Sequence, residues 1–147
     1  MKVAVLMGSA SDQTKMAPAV ETLERFGVTV TSHVVSAHRT PDAVAELARG
    51  ARDEGYGVLI CGAGMAAALP GAVAAHTTLP VIGVPLSGSA LNGVDALYAI
   101  VQMPRGVPVA SVAIDGAANA ALLAVEMLAI HDKELAGRLD DYRAEFS

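Results

Sequence analysis

Apolar residues recur along the chain in short β-branched blocks separated by longer stretches with helical spacing. The first block, Val3 to Met7, ends at a Gly-Ser turn and leads into a helical pattern from Ser11 or Asp12 to Phe26. The second, Val28 to Val35, passes through a polar turn into a helix from Pro41 to Glu54, where Pro41 suits the first helical turn because the amide hydrogen it lacks has no partner there. Blocks at Val58 to Cys61, Val81 to Val84 and Val107 to Ile114 alternate with Ala-rich helical segments over Met65 to His76 and Leu91 to Val101. Two further helices, Asn119 to Ile130 and Asp132 to Phe146, follow. Pro18 falls inside the first helical pattern and is expected to bend or restart it.

Strands apolar on both faces and joined by helices belong in a parallel sheet covered on each side. The pattern therefore predicts an α/β fold, a three-layer αβα sandwich with a flavodoxin-like, five-stranded parallel sheet. At 147 residues the chain fits one domain. Residues 1–130 form its α/β core, and 131–147 add a charged helix that the sheet does not need and that is expected to pack on a neighbouring subunit. Composition sharpens this picture. Hydrophobic residues make up 53% and charged ones 17%, with only two Phe, three Tyr and no Trp, so the core must be built from small aliphatic side chains.

Net charge is −5 and no basic run is present, which argues against a nucleic-acid partner. The lone Cys61 lies in an apolar strand block and has no partner for an intrachain disulfide, in keeping with a reducing cytoplasm. The start of the chain has no extended apolar leader pattern, so a signal peptide is not expected. No Asp, Glu, Lys or Arg occurs from Gly55 to Val94. Pro70, Pro80 and Pro85 and the many glycines there would interrupt a membrane helix, so burial within protein is the better reading. A block this long without charge also predicts a homo-oligomer in which part of it lies between subunits.

In such folds ligands bind at the carboxyl ends of the strands, where three loops carry unusual chemistry. Gly8-Ser9-Ala10-Ser11-Asp12 brings two hydroxyls and free amides to a helix start, a favourable place for an anion, although Ser11 or Asp12 would serve equally as an ordinary helix cap. Ser36-Ala37-His38-Arg39-Thr40-Pro41-Asp42 sets a proton-exchanging imidazole beside a guanidinium that can grip a carboxylate or phosphate. Gly62-Ala63-Gly64-Met65-Ala66-Ala67 matches a dinucleotide fingerprint, yet the next strand ends in Val84-Pro85 without the acidic residue that a ribose requires. The glycines instead let a small ligand approach the backbone. His33, His76 and His131 read as structural or exposed, and no metal-ligand spacing connects them.

Taken together, GSASD at Gly8 to Asp12, SAHRTPD at Ser36 to Asp42, and LPVIGVPLSGSALNGVDAL with VQMPRGVPV at Leu79 to Val109 resemble the N5-carboxyaminoimidazole ribonucleotide mutase family of purine biosynthesis, from about Val3 to Ile130. The resemblance implies an isomerase that turns N5-carboxyaminoimidazole ribonucleotide into 4-carboxy-5-aminoimidazole ribonucleotide without metal or cofactor. It implies His38 as general acid and base, Ser9, Ser11 and Asp12 at the ribose phosphate, and Arg39 on the substrate, with Ser36, Gly64 and Leu69 as further substrate contacts. It also implies a cytoplasmic octamer. One departure is plain: where the family pattern reads GGAAHLPG, this chain has Ala68 in place of the histidine. Two alternatives stand beside the mutase, an aminoimidazole ribonucleotide carboxylase using free carbon dioxide and a non-catalytic nucleotide- or phosphate-binding module. The carboxylase class typically has SAHK, so Arg39-Thr40 favours the mutase.

Overall fold

The computed structural model describes residues 1–147. Five strands, β1 (Lys2–Met7), β2 (Thr29–Val34), β3 (Tyr56–Gly64), β4 (Val81–Leu86) and β5 (Ala110–Ser111), lie in the order β2-β1-β3-β4-β5. Every pairing is parallel. The helices are α1 (Gln13–Arg25), α2 (Pro41–Gly50), α3 (Ala68–Ala74), α4 (Val94–Val101), α5 (Ala117–Ala129) and α6 (Lys133–Ala144).

The side-chain period of two divides the three inner strands, β1, β3 and β4, between two cores. Val3, Val5 and Met7 of β1, with Ile60 and Val84, meet α1 and α5 through Met16, Leu23 and Val125. Ala4 and Leu6, with Leu59 and Cys61, meet α2, α3 and α4 through Val44, Val73 and Ile100. Each fully buried Leu, Ile or Val is worth about 1.5–3 kcal/mol, so strands this apolar are stable only between two helical layers. Glycine sets the spacing at one central point: a Cβ on Gly83 would stand 2.5 Å from Ile100 Cγ2 and 3.3 Å from Pro70 Cβ, and its absence lets α4 and α3 close onto the sheet.

Three elements differ from the sequence expectation. Helix α1 runs through Pro18 without a break, because Pro18 and Thr14, whose carbonyl loses its donor, are both exposed and water can substitute. The helix expected from Met65 begins only at Ala68, since Met65 and Ala67 take left-handed backbone angles, φ 52° and 42°. The strand expected over Val107 to Ile114 shrinks to Ala110–Ser111, which pairs only with Ile82 and Gly83 of β4. Beyond that point the outer edge of β4 is free of a strand, and this is where Pro85 sits. Its carbonyl points to the free edge and accepts a hydrogen bond from the Asp115 amide at 2.8 Å, so its missing N–H costs the sheet no ladder bond.

Helix α6 docks on its own chain. Leu135 is buried, the Phe26 and Tyr142 rings meet edge to face at 5.6 Å, and Arg138 Nη1 donates to the Phe26 carbonyl at 2.6 Å. Ion pairs join Arg25 to Glu145 and Arg143 to Glu126, each at 2.6 Å. These pairs are exposed and add little beside the apolar contacts. No helix is long and apolar enough to cross a membrane.

Candidate functional site

The strand order reverses direction between β1 and β3, and the loops that leave the carboxyl ends of β1 to β4 diverge around a cleft of about 580 Å³. All eight residues singled out from the sequence, Ser9, Ser11, Asp12, Ser36, His38, Arg39, Gly64 and Leu69, line it. Ala68 lines it as well.

After β1, a single 3₁₀ turn, Ala10–Asp12, is held by a reciprocal cap. The Ser9 hydroxyl accepts from the Ser11 amide at 3.3 Å, and the Asp12 carboxylate accepts from the Ser9 amide at 3.1 Å. The cap is thus Ser9, closed by Asp12, where Ser11 or Asp12 had been expected. Ser9 and Ser11 hydroxyls lie 2.9 Å apart, leaving two adjacent oxygens at the helix start. The cap thus leaves both serines lining the cleft.

The loop after β2 is fastened at two points. Thr40 Oγ1 accepts from the Ser36 amide at 3.0 Å and donates to the Ser36 carbonyl at 3.1 Å, closing the turn that carries His38 at its tip. Arg39 donates from its amide and from Nε to Ser36 Oγ, at 3.2 and 3.3 Å, and from Nη2 to the Gly8 carbonyl at 3.1 Å. The guanidinium is thereby oriented and still has donors to spare. His38 and Arg39 are exposed at the mouth of the cleft.

The loop after β3 is the strained part. Two non-glycine residues at positive φ, Met65 and Ala67, flank a turn closed by the Ala67 amide donating to the Gly64 carbonyl at 2.9 Å. Left-handed angles at non-glycine residues cost about 1–2 kcal/mol each and gather at functional sites. The turn brings Leu69, buried, and Ala68, half-buried, to the cleft.

Ser87 to Ser89, after β4, complete the wall of the cleft, and side chains from elsewhere in the fold fix them there. Ser87 donates its amide to Asp115 Oδ1 at 2.9 Å and its hydroxyl to Asp115 Oδ2, while Lys15 Nζ donates to the Ser87 carbonyl and hydroxyl. Partial burial would raise the Asp115 carboxyl, but these hydrogen bonds from Ser87 and the nearby Lys15 charge outweigh it and hold the carboxyl below its ordinary range. No spacing pattern connects positions 15, 87 and 115; the only sequence hint was an Asp-Gly pair cutting short an apolar run.

The remaining histidines stand apart from the cleft. The His33 ring nitrogen shares a cluster with Thr31 and Tyr56 hydroxyls at 3.1 and 3.3 Å, and His76 Nδ1 donates to the Ala72 carbonyl at 2.8 Å. Cys61 is wholly buried in β3, where desolvation pushes its thiol far above the ordinary range and leaves it inert.

A family model described as AIR carboxylase matches residues 2–147. The N5-carboxyaminoimidazole ribonucleotide mutase of Escherichia coli (strain K12) is 56% identical over 144 residues, covering 97% of this chain and 85% of that protein. The protein of the same name from Saccharolobus solfataricus is 55% identical, covering 96% and 89%. Among solved structures, Treponema denticola PurE superposes with a TM-score of 0.86 at 30% identity, over 97% of this chain and 89% of the other.

Proposed function

This chain belongs to the AIR carboxylase family, and from that membership we propose that it is a mutase converting N5-carboxyaminoimidazole ribonucleotide into 4-carboxy-5-aminoimidazole ribonucleotide in purine biosynthesis. The observation that carries the reading is the convergence in one cleft of the Ser9–Asp12 turn, the His38–Arg39 loop and the charge-free Gly64–Leu69 loop. The first suits the ribose phosphate through the adjacent Ser9 and Ser11 hydroxyls at a helix start. Arg39 holds the substrate beside it, and Ser36, Gly64 and Leu69 border the imidazole.

In the reaction the bound carbamate breaks its N–C bond, releasing carbon dioxide, and the amine nitrogen takes up a proton. The ring carbon then attacks the carbon dioxide, a new C–C bond forms, and the hydrogen on that carbon leaves as a proton. One proton is consumed and one released, so a single group that gives and then takes it balances the cycle. His38 is that group, an imidazole being able to give a proton and take it back in turn. The apolar wall at Ala66, Ala67 and Leu69 keeps the released carbon dioxide close to the carbon that must capture it, so proximity supplies much of the rate.

In a single chain the His38 side of the cleft is open to water. A stripe of exposed apolar residues, Leu91, Val94, Tyr98 and Val101, follows one face of α4 and its approach, as a covered surface would. Both features support a homo-oligomer, an octamer on the resemblance, whose neighbouring subunits close the cleft and receive the outer side of α6. We read residues 1–147 as one mutase domain working in the cytoplasm on a small nucleotide substrate, with neither nucleic acid nor membrane as a partner.

A second reading, carboxylation of aminoimidazole ribonucleotide by free carbon dioxide, is supported by the description of the matched family model, AIR carboxylase. One assay separates the two. The purified protein is offered the carbamate isomer without bicarbonate and, separately, aminoimidazole ribonucleotide with bicarbonate. Faster conversion of the first supports the mutase, faster conversion of the second the carboxylase, and conversion of neither leaves a binding module.

A further inference from the structure

Beyond the loops that border the substrate, one residue of the wall is held entirely by side chains from elsewhere in the fold. Ser87 follows the last residue of β4, past the point where β5 has ended, so no strand fixes it on that side. Its amide, carbonyl and hydroxyl are all engaged: the amide and hydroxyl by Asp115, ahead of α5, and the carbonyl and hydroxyl by Lys15 of α1. Asp115 sustains a left-handed backbone, φ 59°, to reach it, and Gly88, the next residue of the turn, stands at φ 103° with Lys15 Nζ 3.0 Å from where a Cβ would be. Ser87, Gly88 and Ser89 border the cleft, whereas Lys15 and Asp115 do not.

Resting on the mutase reading, we propose that Lys15 and Asp115 are positioning residues that hold the Ser87–Ser89 turn against the substrate. Their charges meet through Ser87, so the pair adds little net field to the cleft; what it adds is place. Two elements on one side of the sheet, α1 and the segment before α5, are bolted to the end of β4, and the turn between them cannot swing outward to admit water. The strain at Asp115 is sustained by three hydrogen bonds that the segment makes, two to Ser87 and one from its own amide to Pro85.

The test uses the full chain, three single variants and one double variant. Lys15→Met deletes the ammonium at nearly constant length, Lys15→Arg retains it, and Asp115→Gly deletes the carboxylate while making the positive φ free of steric cost, so lost backbone strain does not masquerade as lost function. Lys15→Met and Asp115→Gly should each raise KM for the carbamate isomer about tenfold, as a wall displaced by a fraction of an ångström would. The pH profile of kcat should stay that of the parent because His38 is untouched. Lys15→Arg should recover most of the loss, and the Lys15→Met/Asp115→Gly double variant should be little worse than either single one, since both act through Ser87. An unchanged KM in both single variants, or a kcat profile displaced in pH, overturns the proposal. Hydrogen exchange at the Ser87 amide reads the lock without any turnover: slow exchange in the parent and fast exchange in Asp115→Gly uphold it, and equal exchange overturns it. If the parent converts neither imidazole substrate, the mutase reading falls while the exchange measurement still decides the lock.

Discussion

Arg39 Nη2 donates to the Gly8 carbonyl at 3.1 Å, joining the end of β2 to the end of β1 across 31 positions of sequence. The same side chain, through Nε, is anchored on Ser36. A lysine cannot reproduce this planar, two-point attachment. Arg39→Lys should therefore lower kcat/KM by about tenfold, the worth of one hydrogen bond of roughly 1.4 kcal/mol, mostly through KM. Steady-state kinetics alongside calorimetric titration with the substrate check it.

His38 stands at the tip of the same turn, yet the hydrogen bonds that close that turn run through Ser36 and Thr40. His38→Asn should leave the melting temperature and ligand binding nearly unchanged. Isomerisation should fall by about 100- to 10,000-fold, the usual worth of a positioned acid–base group. Binding titration and a stopped assay on the same preparation read both quantities.

Ala68 opens α3 and lines the cleft without a group that can titrate. Ala68→His should introduce an imidazole beside the reacting atoms and raise kcat on the carbamate isomer by about tenfold or more. The comparison is made at saturating substrate, so that any change in affinity is kept apart from the change in rate.

Met65 is 66% exposed and holds φ at 52°, so its side chain contributes little burial while its backbone is strained. Met65→Gly removes the steric cost and incurs part of it back as chain entropy, for a net gain of about 0.5–1 kcal/mol. The melting temperature should rise by about 2 °C in a chain of this size, measured by scanning calorimetry.

Asp115 has its carboxyl held below the ordinary value of 3.8, so the folded state binds its proton less readily than the unfolded chain does. Its contribution to stability is complete above that value and is lost as pH falls through the lower, folded one. The gap in melting temperature between the parent and Asp115→Asn should be constant from neutral pH down to about pH 5 and narrow as pH falls below 3.8 through the lower, folded value. Paired thermal melts across that range test it.

The framework was legible because the inner β-branched blocks are buried on both faces, as with Val3 to Met7 and Val81 to Val84, and nothing but a covered parallel sheet accommodates such strands. The residues of the cleft were legible because strand ends are where loops gather polar chemistry. What escaped was set by tertiary context. The Ala-rich run from Met65 has helical propensity, but Met65 and Ala67 take left-handed angles in a turn closed on the Gly64 carbonyl, and the helix starts only at Ala68. The last strand was overread because periodicity registers apolar residues, whereas Pro104 and Pro108 and an edge position limit its ladder to two residues. Lys15 and Asp115 are joined only by folding, and no local rule pairs them.

The early end of β5 leaves the segment from Val112 to Gly116 outside the sheet while making it the support of Ser87. Surface connections ordinarily absorb added or deleted residues at small entropic cost. Here the connection doubles as a gauge block for the cleft: a change of one or two residues in its length would reset the cleft's dimensions and thereby the choice among imidazole substrates.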